Sequence, residues 1–337
     1  MSGANVPYHL RPNKFVERHV FLELLERVGR WRSLRNYAYI SMGGRFLEDF
    51  KVIHRHLKIT RMVSLESDDT AYERQVFNRP LSSIKCLNKK SGDFIQTFDD
   101  FRSPYKDRSF IIWLDYASAK GRRDQLQEVE SLTSKLAAGD VIKVTMNANL
   151  ATLHSRPAEN AEQDTESGKP GPFATLERKL DDYMPSGVKT DKDVSQKTLP
   201  KILSEAIKTA IQNGLVGAGN LSAIPLACCC YDDGHQMLTV TVLIVERVDR
   251  NAIIKKCGLE DHEFFSDRWD KVTEIRVPDL SVRERQFIDK HVFSETLEQA
   301  HARLPFLLDI DRERSRESLK QYFDHYRRYP NFVHAVF

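Results

Sequence analysis

From Tyr37 to Glu66 the chain reads YAYISMGGRFLEDFKVIHRHLKITRMVSLE. An apolar run over Tyr37 to Met42 stops at Gly43-Gly44, an amphipathic stretch covers Phe46 to Leu57, and a second apolar run over Met62 to Leu65 ends on Glu66. Short apolar runs bounded by glycine read as strands, and the helical spacing between them reads as a helix. The stretch therefore predicts strand, glycine turn, helix, strand and a closing acid.

The same alternation continues downstream. Asp69 to Phe77 reads as a helix that ends before Pro80, because the residue preceding a proline is pushed out of the α region. Ser83 to Leu87 is a short strand, and Ser91-Gly92-Asp93-Phe94-Ile95 is a turn carrying an acid. The fully apolar run Phe110 to Leu114 ends on Asp115-Tyr116; a polar loop, ASAKGRR, leads to a helix over Asp124 to Leu136 and then to a strand over Val141 to Met146. Strands alternating with helices at this spacing imply an α/β fold with a mainly parallel, doubly wound sheet. The runs Ser222 to Tyr231 and Met237 to Glu246 are separated only by DDGHQ, too short for a parallel crossover, so they predict a terminal antiparallel hairpin.

The flanks differ. Residues 8 to 30 carry Phe15, Val20, Leu24, Leu25 and Val28 at helical spacing, which predicts an N-terminal helix packed on the sheet. Residues 154 to 197 are polar, bear Pro and Gly and are poor in large aliphatics, which predicts a mobile insertion with a short helix at Ala174 to Tyr183. Leu199 to Asn213 is again an amphipathic helix, and the tail from Asn251 predicts helices at Val282 to His291 and Arg314 to Arg328. The organisation expected is an N-terminal helical extension (1–35), an α/β domain (36–250) and a C-terminal helical extension (251–337).

Composition narrows the class. A chain of 337 residues, 41% apolar and 29% charged, is ordinary for a soluble protein with a sizeable core. The net charge of +3 neither demands nor excludes nucleic acid. No segment approaches the roughly 18 consecutive apolar residues of a membrane span, and the first residues have no apolar signal core, so a cytoplasmic location is expected. Three of the five cysteines, Cys228 to Cys230, are adjacent in a strand and alternate faces; they form neither a disulfide framework nor a zinc site by themselves and read as reduced, buried side chains. His54 and His56, two apart on a helix, do not share a face, so no metal site is expected.

The candidate chemistry follows from the glycine turn. Two glycines between strand and helix let backbone approach a ligand and aim helix N–H groups at it. An acid at the tip of the next strand, about 20 residues on, stands where it accepts from ribose hydroxyls. This proposes a nucleoside-type ligand, the alternative being a tight turn and nothing more. Gly-x-Ser-x-Gly, Walker and His-Glu-x-x-His motifs are absent, which removes the common hydrolase, triphosphatase and zinc protease readings. Basic residues near the N-terminal helix (Arg11, Lys14, Arg18) and a tail with Arg327, Arg328, Tyr322, Tyr326 and Tyr329 offer charge and stacking faces to nucleic acid, but interleaved acids favour a solvated or docked helix face.

Glycine turn, acid closing strand two, Gly-Asp after strand three, Asp closing strand four, a fifth parallel strand and a hairpin together resemble the class I S-adenosylmethionine-dependent methyltransferases. Through RPNKFVER, FLEDF, SLES and IIWLDYAS the chain also looks like a little-described bacterial O-methyltransferase-like group. The resemblance implies a Rossmann-like methyltransferase fold, S-adenosylmethionine as cofactor, and methyl transfer to an unidentified acceptor. It gives Gly43 and Gly44 the amino acid part of the cofactor, Glu66 the ribose, Asp93 the adenine amino group, and places Asp115 with Tyr116 between methyl donor and acceptor. The chain departs from the family in its reduced loop, ISMGGRF, which lacks the usual acid and third glycine, and in having no Asn/Asp-Pro-Pro-Tyr signature after strand four. That leaves a second reading: a fold without turnover, acting as a binding or regulatory subunit of a bacterial multi-protein complex such as an antiviral defence system, its C-terminal extension meeting a protein partner.

Overall fold

A computed structural model describes residues 11–105, 107–154, 170–292 and 294–330. One sheet runs through it, made of β1 (Tyr37–Ser41), β2 (Arg61–Glu66), β3 (Ile84–Asn88), β4 (Ser109–Asp115), β5 (Val141–Asn147), β6 (Leu221–Asp232), β7 (Gln236–Glu246) and β8 (Thr273–Ile275). Their spatial order is β3-β2-β1-β4-β5-β7-β6-β8. The first five are parallel. β7 inserts antiparallel between β5 and β6, closing the predicted hairpin, and β8 adds parallel to β6. β1 and β5 are buried along their whole length, which is why they read as continuous apolar runs rather than alternating ones.

The helices are α1 (Pro12–Val28), α2 (Glu48–Leu57), α3 (Asp69–Phe77), α4 (Ser91–Gln96), α5 (Phe98–Arg102), α6 (Arg122–Thr133), α7 (Pro172–Leu180), α8 (Leu199–Leu215), α9 (Arg250–Cys257), α10 (Val282–Asp289), α11 (Leu297–Arg303) and α12 (Arg312–His325). Two cores follow. On one face α1, α2 and the C-terminal segment pack over Tyr37, Tyr39, Ile111 and Trp113; on the other α4 to α8 pack over Ala38, Ile40, Ile112 and Val144. Because the strand order reverses between β1 and β4, helices leave the two strands on opposite faces, the arrangement in which open α/β sheets take ligands at the carboxyl ends of their strands.

Four expectations are revised. The helix expected from Phe46 begins at Glu48, because Gly44 and Leu47 both adopt left-handed backbone and prolong the turn. Ser91-Gly92-Asp93 is the first turn of α4 rather than a free loop. Of the polar insertion, residues 155–169 lie outside the described residues, whereas from Pro172 onward it is packed, burying Leu176, Leu180 and Tyr183. The tail is not helical alone: it supplies β8 to the sheet, and it buries Leu319, Tyr322 and Tyr329, the docked one of the two arrangements offered for its aromatic pattern. All five cysteines are free, Cys228 to Cys230 buried as expected. No helix among the described residues is long and apolar enough to cross a membrane.

Charged groups join α1 to both neighbours. Lys143, in the middle of β5, is fully buried; it donates to Glu17 of α1, which also accepts from Thr239 Oγ1 at 3.0 Å, and its ammonium lies over the Phe21 and Trp113 rings at 4.4 and 4.7 Å. At the other side Glu23 accepts two hydrogen bonds from Arg328, at 2.8 and 2.7 Å, and pairs with His262 at 3.1 Å. Arg328 also pairs with Glu263 and lies over the Phe264 ring. Burial works to raise the Glu23 carboxyl, but the hydrogen bonds from His262 and Arg328 outweigh it and hold it at about 2.

A carboxylate held below its unfolded value stabilises the fold above that value, and this contribution disappears as pH falls through the folded one. The docking of the C-terminal segment on α1 should thus weaken between about pH 4.5 and about 2. Urea unfolding at pH 6 and pH 3 should show a smaller loss for Glu23→Gln than for wild type; equal losses would mean that this cluster does not set the acid response.

Candidate active site

After β1 the chain turns through residues 42–47 into α2. The turn closes at Gly43: a Cβ there would lie 2.5 Å from the Phe50 ring, 2.6 Å from Leu47 Cδ2 and 2.6 Å from Ser64 Oγ. Its N–H donates to Ser64 Oγ at 3.1 Å, tying the turn to β2. Gly44 differs, with φ of +54° and nothing within 4 Å of where a Cβ would be. α3 secures the loop from behind, Gln75 Nε2 donating to the Gly44 carbonyl and Asn78 Nδ2 to the Arg45 carbonyl, each at 2.9 Å. No hydrogen bond among the described residues takes up the N–H groups of Gly44, Arg45 or Phe46. Carbonyls turned to α3 and amides left over are what an anion-accepting turn needs. Met42 is half-buried against the α4–α8 core, and Arg45 is half-buried within the turn.

Glu66 ends β2, level with Asn88 of β3. Its Oε1 accepts from the N–H groups of Ser67 and Asp68 at 2.9 and 3.1 Å, which fixes the carboxylate at the strand tip. Asp68 is the N-cap of α3, accepting from Ala71 N at 2.7 Å. Asp93, exposed in the first turn of α4, makes no side-chain hydrogen bond among the described residues. Its turn is anchored all the same, with Gly92 packed closely on Glu128 of α6.

Asp115 and Tyr116, adjacent in sequence, part company. The Tyr116 ring enters the core and its hydroxyl donates to Glu128 Oε2 at 2.5 Å; burial first, then the Glu128 charge, pushes that hydroxyl well above its ordinary range. Tyr116 thus walls the space between the α4 turn and the end of β4. Asp115 stands at the strand tip, 16% exposed, where Lys14 Nζ of α1 donates to Oδ2 at 3.4 Å. α1 is held in that position by the hairpin turn: Asp233 Oδ2 accepts from Lys14 N at 2.7 Å, and Asn13 Nδ2 donates to the Asp232 carbonyl at 2.8 Å. Beside them lies a buried pair, Tyr39 OH donating to Asp49 Oδ2 at 2.6 Å; burial raises the Asp49 carboxyl against the pull of Arg18.

Gly43, Gly44, Glu66 and Asp115 are therefore brought to the carboxyl ends of three adjoining strands, while Asp93 stands exposed in the first turn of α4, which follows β3. Sequence reasoning missed Lys14, Ser64, Gln75 and Asn78. Lys14 stood inside RPNKFVER, but nothing in its own pattern said that α1 would reach β4. Two cavities, of about 420 Å³ beside Glu130 and Asn213 and about 440 Å³ beside Arg30 and Lys58, lie away from these strand ends. No group of three or more metal-ligating side chains occurs among the described residues.

A parallel sheet with this reversal, glycine turn, strand-tip acids and antiparallel close defines a class I methyltransferase fold. The chain belongs to the family described as "Putative O-methyltransferase", whose model matches residues 6–337. No curated protein matches its sequence. Among solved structures it is similar to the O-methyltransferase from Bacillus cereus in complex with SAH, at 15% identity and a TM-score of 0.37, over 71% of this chain and 85% of that one. It is similar also to the O-methyltransferase TomG from Streptomyces achromogenes, in complex with SAM, at 12% identity and a TM-score of 0.35, over 71% and 91%. A third, described as "a putative sam-dependent methyltransferase from Streptococcus mutans", is 8% identical with a TM-score of 0.37; 65% of this chain aligns, spanning about half (47%) of that protein.

The packing at Gly43 predicts that Gly43→Ala lowers stability by about 1–3 kcal/mol through overpacking against Phe50 and Ser64. Gly44→Asn, with a residue that tolerates left-handed backbone in open space, should stay within about 0.5 kcal/mol of wild type. Urea denaturation measures both, and an unchanged midpoint for Gly43→Ala would refute the close approach.

Proposed function

We propose that this chain is a methyltransferase that binds S-adenosylmethionine at the carboxyl ends of β1 and β2 and acts on an acceptor oxygen. One observation carries the reading: the open Gly44 turn, with amides not taken up by the fold, follows β1 at the same carboxyl edge of the sheet at which Glu66 ends the neighbouring β2, its carboxylate fixed at the strand tip. The residues fit the cofactor. Gly43 and Gly44 would hold its amino acid part, Glu66 its ribose hydroxyls and Asp93 its adenine amino group, with Tyr116 closing the wall beside them. When bound, the cofactor supplies an electrophilic methyl group.

What the chain adds is position and a proton acceptor. Methyl transfer is an in-line displacement, so holding the acceptor oxygen in line accounts for most of the rate, and a base is needed only as the oxygen gives up its proton. Asp115 serves as that base, kept in place by Lys14, whose Nζ donates to its Oδ2. The shortened loop, with the Gly43 amide already spent on Ser64, supports one second reading: a fold kept as a binding or regulatory subunit.

Isothermal titration with S-adenosylhomocysteine separates the two. Wild type should bind, and Glu66→Ala should weaken binding at least tenfold, about 1.4 kcal/mol, the size expected for hydrogen bonds to a charged group. Glu66→Gln, which keeps an acceptor for the Ser67 and Asp68 amides, should lose less. No heat with wild type at millimolar ligand would leave the subunit reading.

A further inference from the structure

α6 begins without a side-chain cap at Gly121, and its first two residues are arginines, cations where the helix dipole favours anions. Arg123 pairs with Asp181 at 2.6 Å. Arg122 pairs with no acid among the described residues. Its side chain turns inward and is 1% exposed; Nη2 donates to the Asn147 carbonyl at 2.7 Å and to Thr152 Oγ1 at 3.0 Å, both neutral groups. Nε and Nη1 are buried with no hydrogen-bond partner among the described residues. Lys179 of α7 converges on the same threonine, Nζ donating to the Thr152 carbonyl at 2.8 Å, and it too lacks an ion pair among the described residues. Asp124, the acid of the first turn, is exposed and pairs with neither.

A buried guanidinium without an anion is costly, and an apolar side chain of similar length would avoid that cost. The place is also telling. The loop from Asp115 to α6 is tied down around this arginine, Asn147 Nδ2 donating to the Ala117 carbonyl at 3.2 Å and Gln125 Nε2 to the Ser118 carbonyl at 2.8 Å. The cluster thus sits at the carboxyl ends of β4 and β5, where open α/β sheets take ligands, one loop beyond the proposed base.

We propose that Arg122 and Lys179, at the uncapped start of α6, hold an acidic group of the methyl acceptor, a carboxylate or a phosphate; this substrate class rests on the methyl-transfer reading above. The acid supplies the charge the fold leaves out and anchors the acceptor so that its hydroxyl meets Asp115.

The test uses the full chain and two probes, inorganic phosphate and malonate, titrated against thermal unfolding at constant ionic strength. A ligand that binds only the folded state raises Tm with its concentration. One or both probes should raise the wild-type Tm saturably, the stronger one naming the acidic group. Arg122→Met should raise the apparent Kd at least tenfold and Lys179→Gln at least threefold, while Arg122→Met without anion melts at or above wild type. An equal anion response in wild type and Arg122→Met, or none in wild type, would overturn the proposal. Should Arg122→Met fail to fold, Arg122→Lys and Lys179→Gln decide it by the same criterion. Titration of S-adenosylhomocysteine runs as a separate arm: anion response without cofactor binding keeps the anion site and sinks the methyl-transfer reading, and the reverse sinks only the acceptor class.

Discussion

At Gly43 the backbone passes so close to Phe50, Leu47 and Ser64 that no side chain fits, and the functional end of the molecule depends on that approach. It lets β1 hand over to α2 while staying tied to β2, and it turns the next residue, Gly44, outward with left-handed backbone. α3 then takes the loop's carbonyls, so that the amides of Gly44, Arg45 and Phe46 are the groups left over among the described residues. A side chain at position 43 would push the turn away from β2 and from the Ser64 hydroxyl that ties it there.

α1 adds a second constraint. It is no loose extension: the hairpin turn holds its first residues through Asp233, Lys143 and Glu17 fasten its middle to the sheet, and Glu23 ties its later part to the C-terminal segment. α1 and the segment around His262 and Arg328 thus meet on the face that carries Tyr39 and Trp113, and Lys14 is delivered to Asp115. Burying such pairs contributes little net stability, but removing one partner leaves a bare charge inside and is strongly destabilising. That makes the position of α1 specific.

Much of this was legible in the sequence, for a physical reason. Strands buried on both faces leave apolar runs of strand length, so β1, β2, β4, β5 and the β6–β7 hairpin stood out, as did Glu66 and Asp115 at strand tips. The groups that escaped are those whose meaning depends on a distant neighbour. Lys143 is one polar residue in an apolar strand until Glu17 is placed above it. β8 is three residues with no pattern of its own until it meets β6, and Ser91-Gly92-Asp93 carries turn chemistry yet starts a helix because Phe94, Ile95 and Phe98 have a core to enter. Tyr116 shows the limit most clearly: beside Asp115 in sequence, it faces the other way, as neighbours in extended chain must.

The central claim is that the crevice between the Gly44 turn, Glu66 and Asp93 holds an adenosyl group. A crystal structure of the chain grown with S-adenosylhomocysteine tests it most directly. The account predicts ligand density with ribose oxygens within hydrogen-bond distance of the Glu66 carboxylate and its amino acid end at the Gly44–Phe46 amides. Density elsewhere, or an intact turn with no ligand at saturating concentration, would contradict it.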